Sequence, residues 1–88
     1  MKVRVLKKEK NFIELVLEGE EHSFPNLLRE TLLEDEDVEF ASYVIDHPQL
    51  GNPRLIVRTK KKTPEAAIKN AVKKIEKKVS EFEKLLKK

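Results

Sequence analysis

From Thr63 to Lys88 the sequence specifies a helix longer than any sheet the rest of the chain can build. Thr63-Pro64-Glu65 reads as a helix start. It offers a hydroxyl cap, a proline in the first turn where no N–H is needed, and an acid near the positive end of the dipole. No glycine or proline follows. Ile68, Val72, Ile75, Val79, Phe82 and Leu86 recur at alternating steps of four and three, the spacing of a helix-pairing seam. Lys69, Lys73, Lys74, Lys77, Lys78, Lys84, Lys87 and Lys88 take the remaining faces. About 25 residues at about 1.5 Å each make roughly 37 Å of helix, whereas strands of about eight residues span only roughly 26 Å. The same seam could serve ordinary core packing; the excess length is what favours a partner. The helix is expected to overhang its own sheet, with Val79, Phe82 and Leu86 packing on something outside this chain.

The preceding sequence supplies the sheet. Residues 2–8 alternate, with Val3 and Val5 against Lys2, Arg4 and Lys7, as in a strand half-buried on one face. Residues 11–18 repeat the pattern, Ile13, Leu15 and Leu17 on one side, Phe12 and Val16 on the other beside Glu14 and Glu18. Lys8-Glu9-Lys10-Asn11 is a polar break of hairpin length, so the two strands should be antiparallel neighbours. A helix is predicted from about Ser23 to Asp35, capped by Ser23, with Pro25 in its first turn. Phe24, Leu27, Leu28, Thr31 and Leu32 share one of its faces, and Asp35-Glu36-Asp37 ends it as a solvated acidic run. Val38 to Ile45 is rich in β-branched and aromatic residues and reads as a third strand. His47 to Pro53 is a turn-rich connection, and Leu55, Ile56 and Val57 centre a fourth strand ending near Lys60.

The order ββαββα predicts an α+β fold: a four-stranded antiparallel sheet with two helices on one face, in a single domain spanning residues 1–88. Several strands, the second especially, carry apolar residues on both faces. Part of the sheet is therefore expected to be marginally exposed or to meet another protein.

Eighty-eight residues lie at the small end of what buries a core alone, and such chains often leave apolar surface for a partner to cover. No run approaches the roughly 20 apolar residues of a membrane span, and Met1 to Val5 lacks the apolar core of a signal peptide. There is no cysteine, hence no disulfide frame or thiolate zinc site. These features favour a soluble, cytoplasmic protein without membrane contact. Charged residues make up 40%, Lys and Glu dominating, the balance of proteins that rely on ion-pair networks at high temperature. Residues 1–10 carry five bases and one acid; residues 11–39, one base and ten acids; residues 40–88, thirteen bases and five acids.

Catalysis has little to stand on. His22 and His47 are the only histidines, and Ser23 beside His22 in sequence does not make a nucleophile–base pair, because neighbouring side chains diverge. Glu20, Glu21 and His22 lack the soft ligands and spacing of a metal site. Gly19 and Gly51 alone cannot make a glycine-rich phosphate loop. The basic end points toward nucleic acid, since Lys60-Lys61-Lys62 and the helix lysines could bind phosphate in a salt-sensitive way. Binding single strands, however, calls for aromatic platforms or arginine forks beside that charge. Tyr43 and the four phenylalanines are expected at buried positions, and arginine is scarce in the tail.

One segment is more specific. Glu20-Glu21-His22-Ser23-Phe24-Pro25-Asn26-Leu27-Leu28-Arg29 is followed by Val38-Glu39-Phe40-Ala41-Ser42-Tyr43 and then His47-Pro48. This resembles the signature of the small assembly subunits of multisubunit RNA polymerases: subunit L in archaea, the eleventh subunit of eukaryotic polymerase II, and the N-terminal domain of bacterial alpha. His22, Asn26, Phe40, Tyr43, His47 and Pro48 are the motif positions that carry the likeness. Many relatives have glycine where this chain has Pro25, a change that archaeal members tolerate.

The resemblance implies a subunit with no chemistry or cofactor of its own. It would pair with a larger assembly subunit, called D in archaea and subunit three in eukaryotic polymerase II. That heterodimer would form the platform for the large catalytic subunits, and the chain would meet DNA only indirectly. Phe24, Leu27, Leu28 and Thr31 would belong to the pairing surface, and by helix position so would Val72, Ile75, Val79, Phe82 and Leu86. Arg29 sits where bacterial alpha also has an arginine, near a large-subunit contact. Two other classes stay open: a small basic nucleic-acid-binding protein, and a self-pairing ββαββα module.

Overall fold

The computed structural model describes residues 2–18, 23–45 and 53–87. Strands β1 (Lys2–Glu9) and β2 (Phe12–Glu18) are followed by helix α1 (Ser23–Leu32), strands β3 (Val38–Val44) and β4 (Arg54–Thr59), and helix α2 (Pro64–Leu86). The strands form one antiparallel sheet in the order β1-β2-β4-β3. Alternate residues of the strands, Ile13, Leu15, Leu17, Ala41, Leu55 and Val57, share one core with Leu28 and Leu32 of α1 and Ala67, Ala71 and Ile75 of α2. Both helices therefore cover the same face of the sheet, as the element order predicts. The β3–β4 hairpin folds back so that β4 lies beside β2, and Leu55 and Val57 in that central strand are wholly buried.

Helix α1 stops three residues before the expected Asp35, for a local reason. Glu34 and Asp35 donate their N–H groups to Thr31 and Leu32, a tightening of the last turn. The Asp35 carboxylate then accepts from the Asp37 N–H at 2.9 Å, an aspartate turn that competes with further helix. This acidic run is not simply solvated. The Asp37 carboxylate accepts from the backbone N–H groups of Lys61 (3.1 Å) and Lys62 (2.9 Å), and Asp35 pairs with the Lys62 ammonium at 2.7 Å. Two acids after α1 thus clasp the turn that launches α2.

Helix α2 begins as its sequence directs, Thr63 accepting from the Ala66 N–H at 3.2 Å. Its buried line is Pro64, Ala67, Ala71 and Ile75; Ile68 and Val72 flank that line, half-buried against the core. After Ile75 every described residue of the helix is exposed. Eleven residues to Leu86 project roughly 16 Å past the core at about 1.5 Å per residue.

The first strand departs from expectation. Val3 and Val5 face the helix side, opposite Leu17 and Leu15, yet remain 55% and 51% exposed. Neither helix covers Val3 or Val5; α2 meets this edge strand only near its far end, where Glu65 pairs with Lys8. A register shift between Val5 and Lys7 leaves Leu6 at an irregularity, also exposed, which disrupts the edge as a template for another strand.

A candidate protein–protein interface

The uncovered edge of the sheet and the flank of α2 meet in an open apolar groove of about 160 Å³. Its floor is Leu15, Leu17 and Leu55; Phe24 and Leu28 of α1 wall one side, Ile68 and Val72 of α2 the other, and Val3 forms the rim. Every lining residue is apolar. Beyond the groove α2 carries Val79, Phe82, Leu85 and Leu86 at 52–69% exposure. Covering one such side chain is worth about 1.5–3 kcal/mol, so groove and overhang together are a strong site for an apolar partner surface.

The sequence-predicted interface residues divide between these places. Phe24, Leu28 and Val72 line the groove, and Val79, Phe82 and Leu86 stand on the overhang. Leu27 is exposed on α1. Thr31 is buried, its hydroxyl donating to the Leu27 carbonyl at 2.8 Å, and Ile75 closes the chain's own core. Those two side chains are engaged within the fold. Leu85, Val3, Leu15, Leu17, Leu55 and Ile68 were not among the predicted interface residues. Leu85 breaks the four-three spacing; Ile68 lies in the predicted seam but on the stretch that the sheet is expected to shelter, and the sequence does not show which strand residues stay uncovered.

Arg29 is half-buried on α1. Its Nη2 donates to Asn26 Oδ1 at 2.8 Å, and Asn26 in turn donates to Glu30 at 3.4 Å. Its Nε is buried without a hydrogen-bond partner among the described residues, which costs about 1–3 kcal/mol for a desolvated donor. Tyr43 packs half-buried against the core, whereas Phe40 points to the helix-free face at 49% exposure and Phe82 is 61% exposed. The expectation that all the aromatic residues are buried therefore fails: Phe40 and Phe82 are exposed, and Phe12, Phe24 and Tyr43 are only half-buried. Sheet alternation turns Phe40 outward, and Phe82 lies past the sheet. His22, His47 and Pro48 lie outside the described residues.

Several lysines are engaged within the chain: Lys8 with Glu65 at 2.8 Å, Lys62 with Asp35, and Lys74 with Glu34 at 3.8 Å. The Lys8 ammonium holds the Glu65 carboxyl below the usual carboxylate range. Among the described residues no group of three or more His, Cys, Asp or Glu could hold a metal ion, and no helix is long and apolar enough to cross a membrane.

Comparison with known proteins gives the family. Residues 12–85 match the family model described as the RNA polymerase Rpb3/Rpb11 dimerisation domain. DNA-directed RNA polymerase subunit Rpo11 of Pyrococcus abyssi is 51% identical over 78 residues, covering 85% of this chain and 82% of that protein. The Rpo11 of Methanothermobacter thermautotrophicus is 38% identical over 84 residues, 96% of each chain. The crystal structure of DNA-directed RNA polymerase subunit L from Thermoplasma acidophilum superposes with a TM-score of 0.90 at 35% identity, over 98% of this chain and 85% of the other.

Proposed function

Because the chain belongs to the RNA polymerase Rpb3/Rpb11 dimerisation-domain family, we propose that it is a non-catalytic assembly subunit whose partner is the larger assembly subunit that archaea call D. The heterodimer with this D-type partner is the platform on which the two large catalytic subunits of a cytoplasmic, DNA-directed RNA polymerase come together. Residues 1–88 act as one dimerisation domain and meet DNA only through the complex. The observation that carries this reading is the pairing of an all-apolar open groove with an exposed apolar helix end in one small chain. Water disfavours both, and a partner helix that fills the groove while receiving the overhang removes both at once. Arg29, held by Asn26 with its Nε unpaired among the described residues, suits a carbonyl or carboxylate of a large subunit.

Gel filtration of the chain with and without the D-type partner tests the reading. A 1:1 species with that partner, which then retains both large subunits, is the expected outcome. Failure to pair, or equal self-pairing when the partner is left out, would reject it.

A further inference from the structure

We propose that the helix-free face of the sheet holds a second docking site, at the Phe12–Arg58–Phe40 row, for an acidic segment of another polymerase subunit. The occupant is a carboxylate set beside an apolar side chain; the proposal rests on the chain's working inside a polymerase. Phe12, Arg58 and Phe40 stand side by side across β2, β4 and β3, placed there by register. The Arg58 guanidinium lies 5.3 Å from the centre of the Phe12 ring, and the Lys7 ammonium lies 5.6 Å from it. Attraction to the ring holds Arg58 in place without neutralising it. Phe40, on the other side of Arg58, is half exposed.

The rest of the face shows what is unusual about this row. Arg54 pairs with Glu14, Arg4 with Glu18 at 3.5 Å, and Lys7 with Glu9 at 3.3 Å. Arg58 alone among these cations has no carboxylate within ion-pair distance among the described residues, although Glu39 is next to Phe40 in sequence. An exposed planar fork beside an exposed ring matches a carboxylate, received in bidentate fashion, whose apolar neighbour covers the ring. Charge decides between a protein segment and a nucleic-acid strand. With Arg54, Arg4 and Lys7 already paired to glutamates, Arg58 leaves a single positive charge to be matched on this row, which one carboxylate does and a row of phosphates exceeds.

The test uses preformed heterodimers of this chain with the D-type partner, carrying Arg58→Glu, Arg58→Lys or Phe40→Ser, and measures recovery of the large subunits. All three heterodimers should form as the unmodified one does. Arg58→Glu should retain large subunits at least about tenfold less well, as for a lost interfacial charge contact, with Arg58→Lys intermediate and Phe40→Ser clearly reduced. Wild-type recovery with Arg58→Glu and Phe40→Ser would overturn the site while leaving the polymerase reading intact. Equal loss of pairing with the D-type partner would also overturn it, since the row would then be part of the fold or of the first interface. Binding of a labelled oligo-dT by the isolated chain, abolished by Arg58→Glu, would replace the protein segment with a nucleic-acid strand. An unmodified chain that pairs with no polymerase subunit sinks both readings.

Discussion

Phe82 is expected to matter to an assembly and little to its own fold. Its ring is 61% exposed, seven residues beyond Ile75, the last buried position of α2. Phe82→Asp should leave the thermal midpoint of the isolated chain within a few degrees of the original. It should weaken pairing with the D-type partner by several kcal/mol, the cost of an unpartnered carboxylate in an apolar contact; parallel melting and gel-filtration measurements check both halves. Asp35 is the opposite case, a residue whose work is internal. The Lys62 ammonium beside it, helped by the Asp37 N–H, holds its carboxyl below the usual carboxylate range. A carboxyl whose pKa is lower in the folded state stabilises above its unfolded pKa, and that contribution is lost as pH falls through the folded value. Asp35→Asn should therefore lower the midpoint at neutral pH, and the gap to the unmodified chain should shrink as pH falls below about 4. Melting curves from neutral to strongly acid pH would show it, and a gap that stays constant would refute the assignment. The sequence displayed Phe82 openly, as part of a seam too long for its sheet. The role of Asp35 was hidden, because its partner Lys62 lies 27 positions away and an acidic run reads as solvated until the turn beyond β4 is folded against it.

At the scale of elements, the signals that proved reliable were local and stereochemical. Thr63-Pro64-Glu65 marked the start of α2 because a hydroxyl and a proline satisfy or remove N–H groups wherever the helix goes. Thr63→Ala should consequently destabilise the chain by about 1 kcal/mol, measured as a shift in denaturant midpoint at unchanged slope. Which side of α2 faces its own sheet was not legible. The Ile68–Leu86 seam is the most hydrophobic stripe, yet of its residues the helix buries only Ile75, beside Pro64, Ala67 and Ala71. Alanine gives little hydrophobic signal, but its small size lets α2 lie against α1, leaving the larger Ile68 and Val72 to wall the groove. Strand β1 misled for a related reason. Alternation identified the strand and its face, but whether that face is covered depends on how far two helices reach across four strands, a property of packing rather than of β1. The exposed Val3 and Val5 are where the interface reading gains most from the structure.

For the molecule as a whole, the division of apolar surface makes stability depend on partnership. The core holds together through β2, β4 and the first three turns of α2, while the groove, the β1 edge and the last eleven residues of α2 contribute water-exposed apolar area. A partner that binds only the folded form stabilises it by mass action. At a free concentration about 100 times its dissociation constant the gain is about 2.7 kcal/mol. For a domain of this size each kcal/mol moves the midpoint by roughly 4–8 °C, so the D-type partner in excess should raise it by on the order of 10–20 °C. The unfolding of this chain can be followed separately from its partner by hydrogen exchange, read by mass on peptides from β2 and β4. Protection should grow with the concentration of the partner and reach the whole of α2, including the segment from Val79 to Leu86 that the core does not shelter. Protection confined to β2, β4 and the first half of α2 would mean that the D-type partner meets the groove alone, and the overhang would then require another occupant.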